Sequence, residues 1–223
     1  MPELHVLRVF CGEGGGGGNP LGVFLDGDEI RAEYRQRVAA DLGFSETVFV
    51  DHAERGEVRI FTPATELPFA GHPVVGAAWL LARERGAVAS LRPPAGEAPV
   101  RTDGELTFAA GRPEWMPEFE FVEVRSAAEV EALGGPPEGH DAVGVWAWVD
   151  EGAGKIRERV FAARYGIAED EATGSAAVQL CARLGRELEN RQGRGSVIRV
   201  RPLDDGSVEL GGHCVVDRVS DYA

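Results

Sequence analysis

Lysine is almost absent from this chain. Lys155 is the only one, and arginine carries nearly all the positive charge, which reads as genome composition and not as chemistry. An excess of basic residues is also missing: the formal net charge is −14. That argues against a nucleic-acid or anionic-membrane partner, since either needs a basic patch. Cysteine is scarce, with Cys11, Cys181 and Cys214 odd in number and far apart. Neither a disulfide framework nor a zinc site is indicated, and no metal is expected. No apolar run approaches the roughly 18 residues of a membrane span. Arg8 and Cys11-Gly12 break up the first apolar stretch too early for a secretory leader. A cytoplasmic protein is the default.

What is present is enough for a core. The chain has 223 residues, of which 43% are apolar, so one large domain or two small ones are expected. "LHVLRVF" alternates as a strand. The glycine run of "GEGGGGGNP" has high backbone entropy and no side chains to pack, which predicts a mobile surface loop. A phosphate cradle would want lysine and serine or threonine at its far end, and Asn19-Pro20 supplies neither. "PLGVFLDG" reads as a strand closed by an Asp-Gly turn. Ile30, Tyr34, Val38 and Leu42 recur at spacing four, which predicts an amphipathic helix ending near Gly43. "FSETVFVDH" and "EVRIFTP" read as strands. Pro73 to Arg85 is apolar over most of a helical surface, so that helix is expected to be enclosed.

A proline-rich segment, "LRPPAGEAP", follows, and then a hairpin around Asp103-Gly104. Beyond it come a strand and a short helix, two strands in "DAVGVWAWVD" and "IRERVFAARYG", a second crowded helix in "ATGSAAVQLCARLGREL", and closing strands. Each half therefore runs strands, buried helix, strands. A long-period duplication is inferred. The expected fold is α+β, with two pseudo-symmetric lobes, each a curved and mostly antiparallel sheet wrapped round a central helix. The lobes are placed at residues 1–100 and 101–223, with the boundary in the segment 94–104.

Both central helices begin at small or glycine-rich turns, Gly71-His72 and Thr173-Gly174-Ser175. First-turn amides lack partners inside a helix and carry its positive dipole end, so two such ends across a cleft can clamp a small carboxylate. Gly71 and Gly174 would let a ligand approach the backbone. Taken singly, each residue has a blander reading. Thr173 and Ser175 are ordinary N-caps, Glu46 is a solvent-facing strand residue, His72 is a capping or core histidine, and Asp170 is a loop acid. A Glu46 buried in an apolar cleft would instead have the raised pKa that proton shuttling near neutral pH requires.

"FSETVFV", "RIFTPATELPFAGHPVVGAAWLL" and "GIAEDEATGSAA", with "GNPLGVFLDG" and "GRGSVIRV…VELGGHCV", resemble the signature segments of the PhzF (phenazine biosynthesis) isomerase-like family over nearly the whole chain. The resemblance implies a fold similar to diaminopimelate epimerase with its site between the lobes. It implies a cofactor-independent isomerase that moves a proton between carbons of a small carboxylate of the dihydro-hydroxyanthranilate type, and a homodimer. It puts the acid/base glutamate on Glu46, the Gly-His-Pro histidine on His72, and the aspartate and serine on Asp170 and Ser175. Ser45, Gly71, Thr173, Gly174 and Gly212 fall among the substrate contacts. The resemblance leaves two alternatives on the same fold, a non-catalytic small-molecule binder and a cofactor-independent epimerase. Neither helix start carries cysteine, which speaks against a two-cysteine racemase.

The chain departs from the family pattern in three places. Glu171 stands where proline is usual, adding a negative charge and loosening that turn. Length is missing from the second half. The glycine run before Asn19-Pro20 is unusual.

Overall fold

The computed structural model describes residues 2–222. In the first half β1 (Glu3–Cys11) and β2 (Asn19–Phe24) precede α1 (Ala32–Leu42), β3 (Glu46–His52), β4 (Glu57–Phe61) and β5 (Glu66–Leu67). Helix α2 (Gly71–Glu84) follows, with β6 (Ser90–Leu91), β7 (Ala98–Asp103) and β8 (Leu106–Gly111). The second half comprises β9 (Glu120–Glu123), α3 (Ala127–Glu131), β10 (Val143–Asp150), β11 (Lys155–Ala162), β12 (Ile167–Asp170), α4 (Gly174–Leu184), β13 (Leu188–Gln192), β14 (Ser196–Pro202) and β15 (Val208–Asp221).

The duplication is explicit in the pairing. β2 and β3 are parallel with α1 between them, and β9 and β10 are parallel with α3 between them. β3 turns back on β4 and β10 on β11, placing Phe61 opposite Thr47 and Phe161 opposite Val143. The short strands β5 and β12 fold back on β4 and β11. Each fold-back carries the same bidentate ion pair, Arg59 to Glu66 and Arg159 to Glu169. A parallel bridge between Glu57 and Arg92 matches the parallel pairing of Arg157 with Arg191. Side-chain identity has largely drifted, while backbone pairing and this one ion pair persist.

The two halves are joined through one hydrogen-bonded array in the order β5-β4-β3-β2-β1-β15-β14-β13-β11-β10-β9. The last strand is the joint. Residues 208–213 of β15 pair with β8, residues 208–211 with β14, and residues 213–221 with β1.

Strand β1 is buried on both faces. Leu7 and Val9 join the core around α2, while Leu4 and Val6 join a second cluster beneath α1. Helix α2 is enclosed, with residues 71–78, Leu80 and Leu81 all buried, as its continuous apolar surface requires. The residues of α4 share that same core. Trp146 is buried against Trp148, and Trp115 packs on Phe69, with Trp115 and Trp148 only partly buried at the edge of the core. No helix among the described residues is long and apolar enough to cross a membrane.

Two local expectations are corrected. The stripe on α1 omits Tyr34, which is 49% exposed beneath the Arg31 guanidinium. Its neighbour Arg35 is buried instead. Arg35 donates to the Ile30 and Gly27 carbonyls at 3.0 and 2.9 Å and pairs with Asp51 at 2.7 Å. A buried guanidinium is tolerated only when its donors are matched in this way. The glycine run is not free either: the Arg8 guanidinium donates to the Gly15 and Gly17 carbonyls at 2.6 and 2.7 Å.

Arg35→Met is expected to destabilise the protein by about 3 kcal/mol, because it removes the charged partner of Asp51 and the side-chain donor to the Ile30 carbonyl. Arg35→Lys should recover little, since one ammonium cannot span three separate acceptors. Urea denaturation of the three proteins checks both statements.

Candidate active site

The starts of α2 and α4 meet at the centre of the molecule. A Cβ built on Gly71 would collide with Leu210 and lie 3.5 Å from the Gly174 Cα. Neither N-cap residue caps its helix. Ala70 has no side-chain acceptor, and the Thr173 hydroxyl donates to Asp170 Oδ2 at 2.7 Å instead of accepting from an amide. The ordinary N-cap reading therefore fails for Thr173, and Ser175 lies inside the helix as its second residue. Two uncapped helix ends, both positive, face the same small volume.

Glu46 opens β3 and shares its inward face with Val48 and Val50, so the solvent-facing reading of this residue fails. Its side chain is 15% exposed, and Oε2 lies 3.4 Å from His72 Nε2. Neither of those two atoms has a hydrogen-bond partner. Burial pushes the Glu46 carboxyl up to about 7, with the neighbouring Ser45 side chain opposing the shift. Burial also pushes His72 below its ordinary value, against the opposing effects of Asp170 and the Pro20 carbonyl. Near neutral pH the contact is therefore between a neutral imidazole and a half-protonated carboxyl, and not an ion pair.

Asp170 ends β12, just before the turn into α4. Its pKa is raised, first by burial and then by the charge of Glu46, while Thr173, His72 and Asn19 oppose the shift. Glu46, His72 and Asp170 thus form one electrostatic group. Ser175 is 8% exposed. Gly212 connects less directly. It lies against the Phe10 ring, and that ring also lies against Gly174. Phe10, with φ of 68°, is the one non-glycine residue at positive φ among the described residues. Such backbone strain persists only where its surroundings over-determine it.

Three participants have no counterpart in the sequence reading. Asn19, 2% exposed, donates to Asp170 Oδ1 at 2.9 Å and to the Ala172 carbonyl at 3.0 Å, and it accepts from Ser45 at 3.3 Å. Gln192 accepts from the Thr173 amide at 2.6 Å and donates to Glu158 at 2.8 Å. Glu158 is fully buried on β11 and also accepts from Asn190. Its second oxygen has no partner. Burial pushes this carboxyl up to about 7 despite the two donors. The available signal was a glutamate at an inward position of β11, between Ile156 and Val160. No group of three or more His, Cys, Asp or Glu side chains that could hold a metal occurs among the described residues.

Known proteins share this arrangement of chain. The sequence profile of the PhzC-PhzF family, phenazine biosynthesis-like proteins, matches residues 8–136. The trans-2,3-dihydro-3-hydroxyanthranilate isomerase of Pseudomonas chlororaphis is 34% identical over 215 residues, covering 76% of this chain and 75% of that one. The structure of a PhzC/PhzF protein from Clostridium difficile superposes with a TM-score of 0.80 over all of both chains at 21% identity. A probable proline racemase from Agrobacterium radiobacter superposes at 0.63, with 13% identity, over all of this chain and 93% of that one.

Glu158 and Glu46 both favour the protonated form in the folded state. The stability they contribute is present below about 4.5, their unfolded value, and is lost as pH rises through about 7. Wild-type stability should therefore fall between pH 5 and 8. Glu158→Gln should flatten that slope by on the order of 3 kcal/mol, read from denaturant midpoints at both pH values. An unchanged slope would mean that Glu158 is not buried as the acid.

Proposed function

As a member of the PhzF family of phenazine biosynthesis-like proteins the chain is an isomerase, and we propose that it moves a proton between two carbons of a small unsaturated carboxylate, with Glu46 as the single acid/base. A dihydro-hydroxyanthranilate is the substrate class favoured by the curated relative's activity. The observation that carries the reading is Glu46 Oε2: buried, without a partner, and 3.4 Å from His72 in front of two uncapped helix ends.

In the reaction, ionised Glu46 removes a proton from a ring carbon, and the resulting charge spreads through the conjugated system. The same carboxyl then returns the proton to another carbon, so no proton is gained or lost overall. A pKa near 7 suits both directions, since the group is neither too weak to accept nor too reluctant to donate. The substrate carboxylate rests on the first-turn amides of α4 and the Ser175 hydroxyl, with the start of α2 opposite. These dipoles are fixed before the reaction, so they stabilise spreading negative charge without reorganising. His72, neutral and held toward Glu46, and Asp170, held by Asn19 and Thr173, position the substrate's polar groups. Ser45, Gly71, Thr173, Gly174 and Gly212 line the same gap in this reading.

The reading includes a cytoplasmic homodimer that acts without metal, organic cofactor or nucleic acid. The charge of −14 supports the last of these, and the dimer and compartment rest on the family resemblance.

Glu46→Gln keeps the shape and removes the base. With trans-2,3-dihydro-3-hydroxyanthranilate its kcat should fall by about 10²–10⁴. Normal turnover by the variant, or binding by wild type without any conversion, would sink the assignment. Asp170→Asn should lower kcat as well, measured in the same assay.

A further inference from the structure

Glu171 and the glycine run, two of the places where this chain departs from its family's usual pattern, meet at one buried hydroxyl. Glu171 follows Asp170 directly. Its Oε1 accepts from the Arg194 amide at 2.7 Å and from the Ser196 hydroxyl at 2.9 Å. The Ser196 oxygen accepts from the Gly18 amide at 2.8 Å. Gly18 precedes Asn19, and Asn19 donates back to Asp170 at 2.9 Å. The hydrogen bonds and the two peptide links thus close a ring. Glu171 does not loosen its turn; it ties that turn to the loop.

The loop admits no other residues at its inner end. A Cβ on Gly17 would lie 2.5 Å from the Ser196 amide nitrogen, and one on Gly18 would lie 2.9 Å from Arg8 Cβ and 2.6 Å from Cys11 Sγ. Both have positive φ, 65° and 91°. Ser196 itself is fully buried. Glycine is required here for close approach and handedness, not for mobility. Asn19, at the end of the loop, also accepts from Ser45, the neighbour of Glu46. One amide side chain therefore links the residue beside the first half's acid to the second half's acid.

We propose that Glu171 and Ser196 are positioning residues, which clamp the glycine loop so that Asn19 holds Asp170 and Ser45 in register with Glu46. This rests on the reading of Asp170 as part of the proton-transfer site. The clamp works through acceptor geometry, because each of its links is a hydrogen bond to a defined oxygen. Removing the Ser196 hydroxyl orphans the Gly18 amide and takes one bond from Glu171, so the residue before Asn19 loses its anchor while Asn19 keeps its pairing with Val9 and its bond to Ala172. Small misplacements in such a site cost rate more than binding.

The test compares Ser196→Ala, Glu171→Ala, Glu171→Gln and Asp170→Asn, assayed with trans-2,3-dihydro-3-hydroxyanthranilate and by amide hydrogen exchange across residues 13–19. Ser196→Ala and Glu171→Ala should each lower kcat about 10-fold, leave KM within about twofold, and speed exchange in the loop about 10-fold. Glu171→Gln keeps an acceptor oxygen and should restore both readouts. Glu171 lies in the partly exposed turn before α4, so its variants fold even if Ser196→Ala does not. Faster exchange at unchanged kcat would make the ring a structural staple only. Unchanged exchange, or a Gln variant as impaired as the Ala variant, would also overturn the proposal. If Asp170→Asn keeps full activity, the reading of Asp170 falls. If Asp170→Asn is impaired while Ser196→Ala and Glu171→Ala are normal, the clamp alone falls.

Discussion

Leu210 sits against Gly71 and Gly174 because neither glycine has a Cβ to exclude it. That contact brings the two central helices together at their N-termini. Two like partial charges at short range repel, and neither end is relieved by a capping side chain. Such a corner is tolerable only if negative charge or a strong dipole lies near it. Glu46 and Asp170 are the resident carboxyls, and a substrate carboxylate would be a third. The rest of the site follows from this unrelieved positive corner in an apolar interior.

Burial then sets the protonation states. Glu46 and Asp170 are pushed toward the acid and His72 toward the neutral ring. In the proposed reaction, removing a proton from carbon creates negative charge near the helix ends, and the desolvation that weakens Glu46 as an acid would strengthen it as a base.

A buried polar chain holds these groups in place. It runs from Glu158 through Gln192 to the Thr173 amide, then from the Thr173 hydroxyl to Asp170, Asn19 and Ser45. It starts in the sheet of the second half and ends beside Glu46 in the first. A network of this kind in a low dielectric is strong when satisfied and costly when broken, which favours one arrangement of the two halves over near alternatives. Arg35 plays a comparable part under α1, where three acceptors fix one guanidinium.

Periodicity and glycine or proline punctuation determined the elements: α1 with its end at Gly43, the enclosed α2, the hairpin at Gly104, and the order repeated in each half. The resemblance of the signature segments to the PhzF family pointed to Glu46, His72, Asp170 and Ser175, whose local contexts taken singly kept blander readings. The elements are short-range properties, readable from neighbours along the chain. Tertiary structure decided what depends on pairing across long separations. It turned Glu46 inward, exchanged Tyr34 for Arg35 in the interior, converted an entropic glycine run into a fitted loop, and gave Glu171 a partner 25 residues away in Ser196. Asn19 and Gln192 look like ordinary amides in sequence, since a hydrogen bond to a residue 151 positions distant leaves no local trace. Burial and partnership belong to the packed chain, and a residue's neighbours in sequence do not encode them.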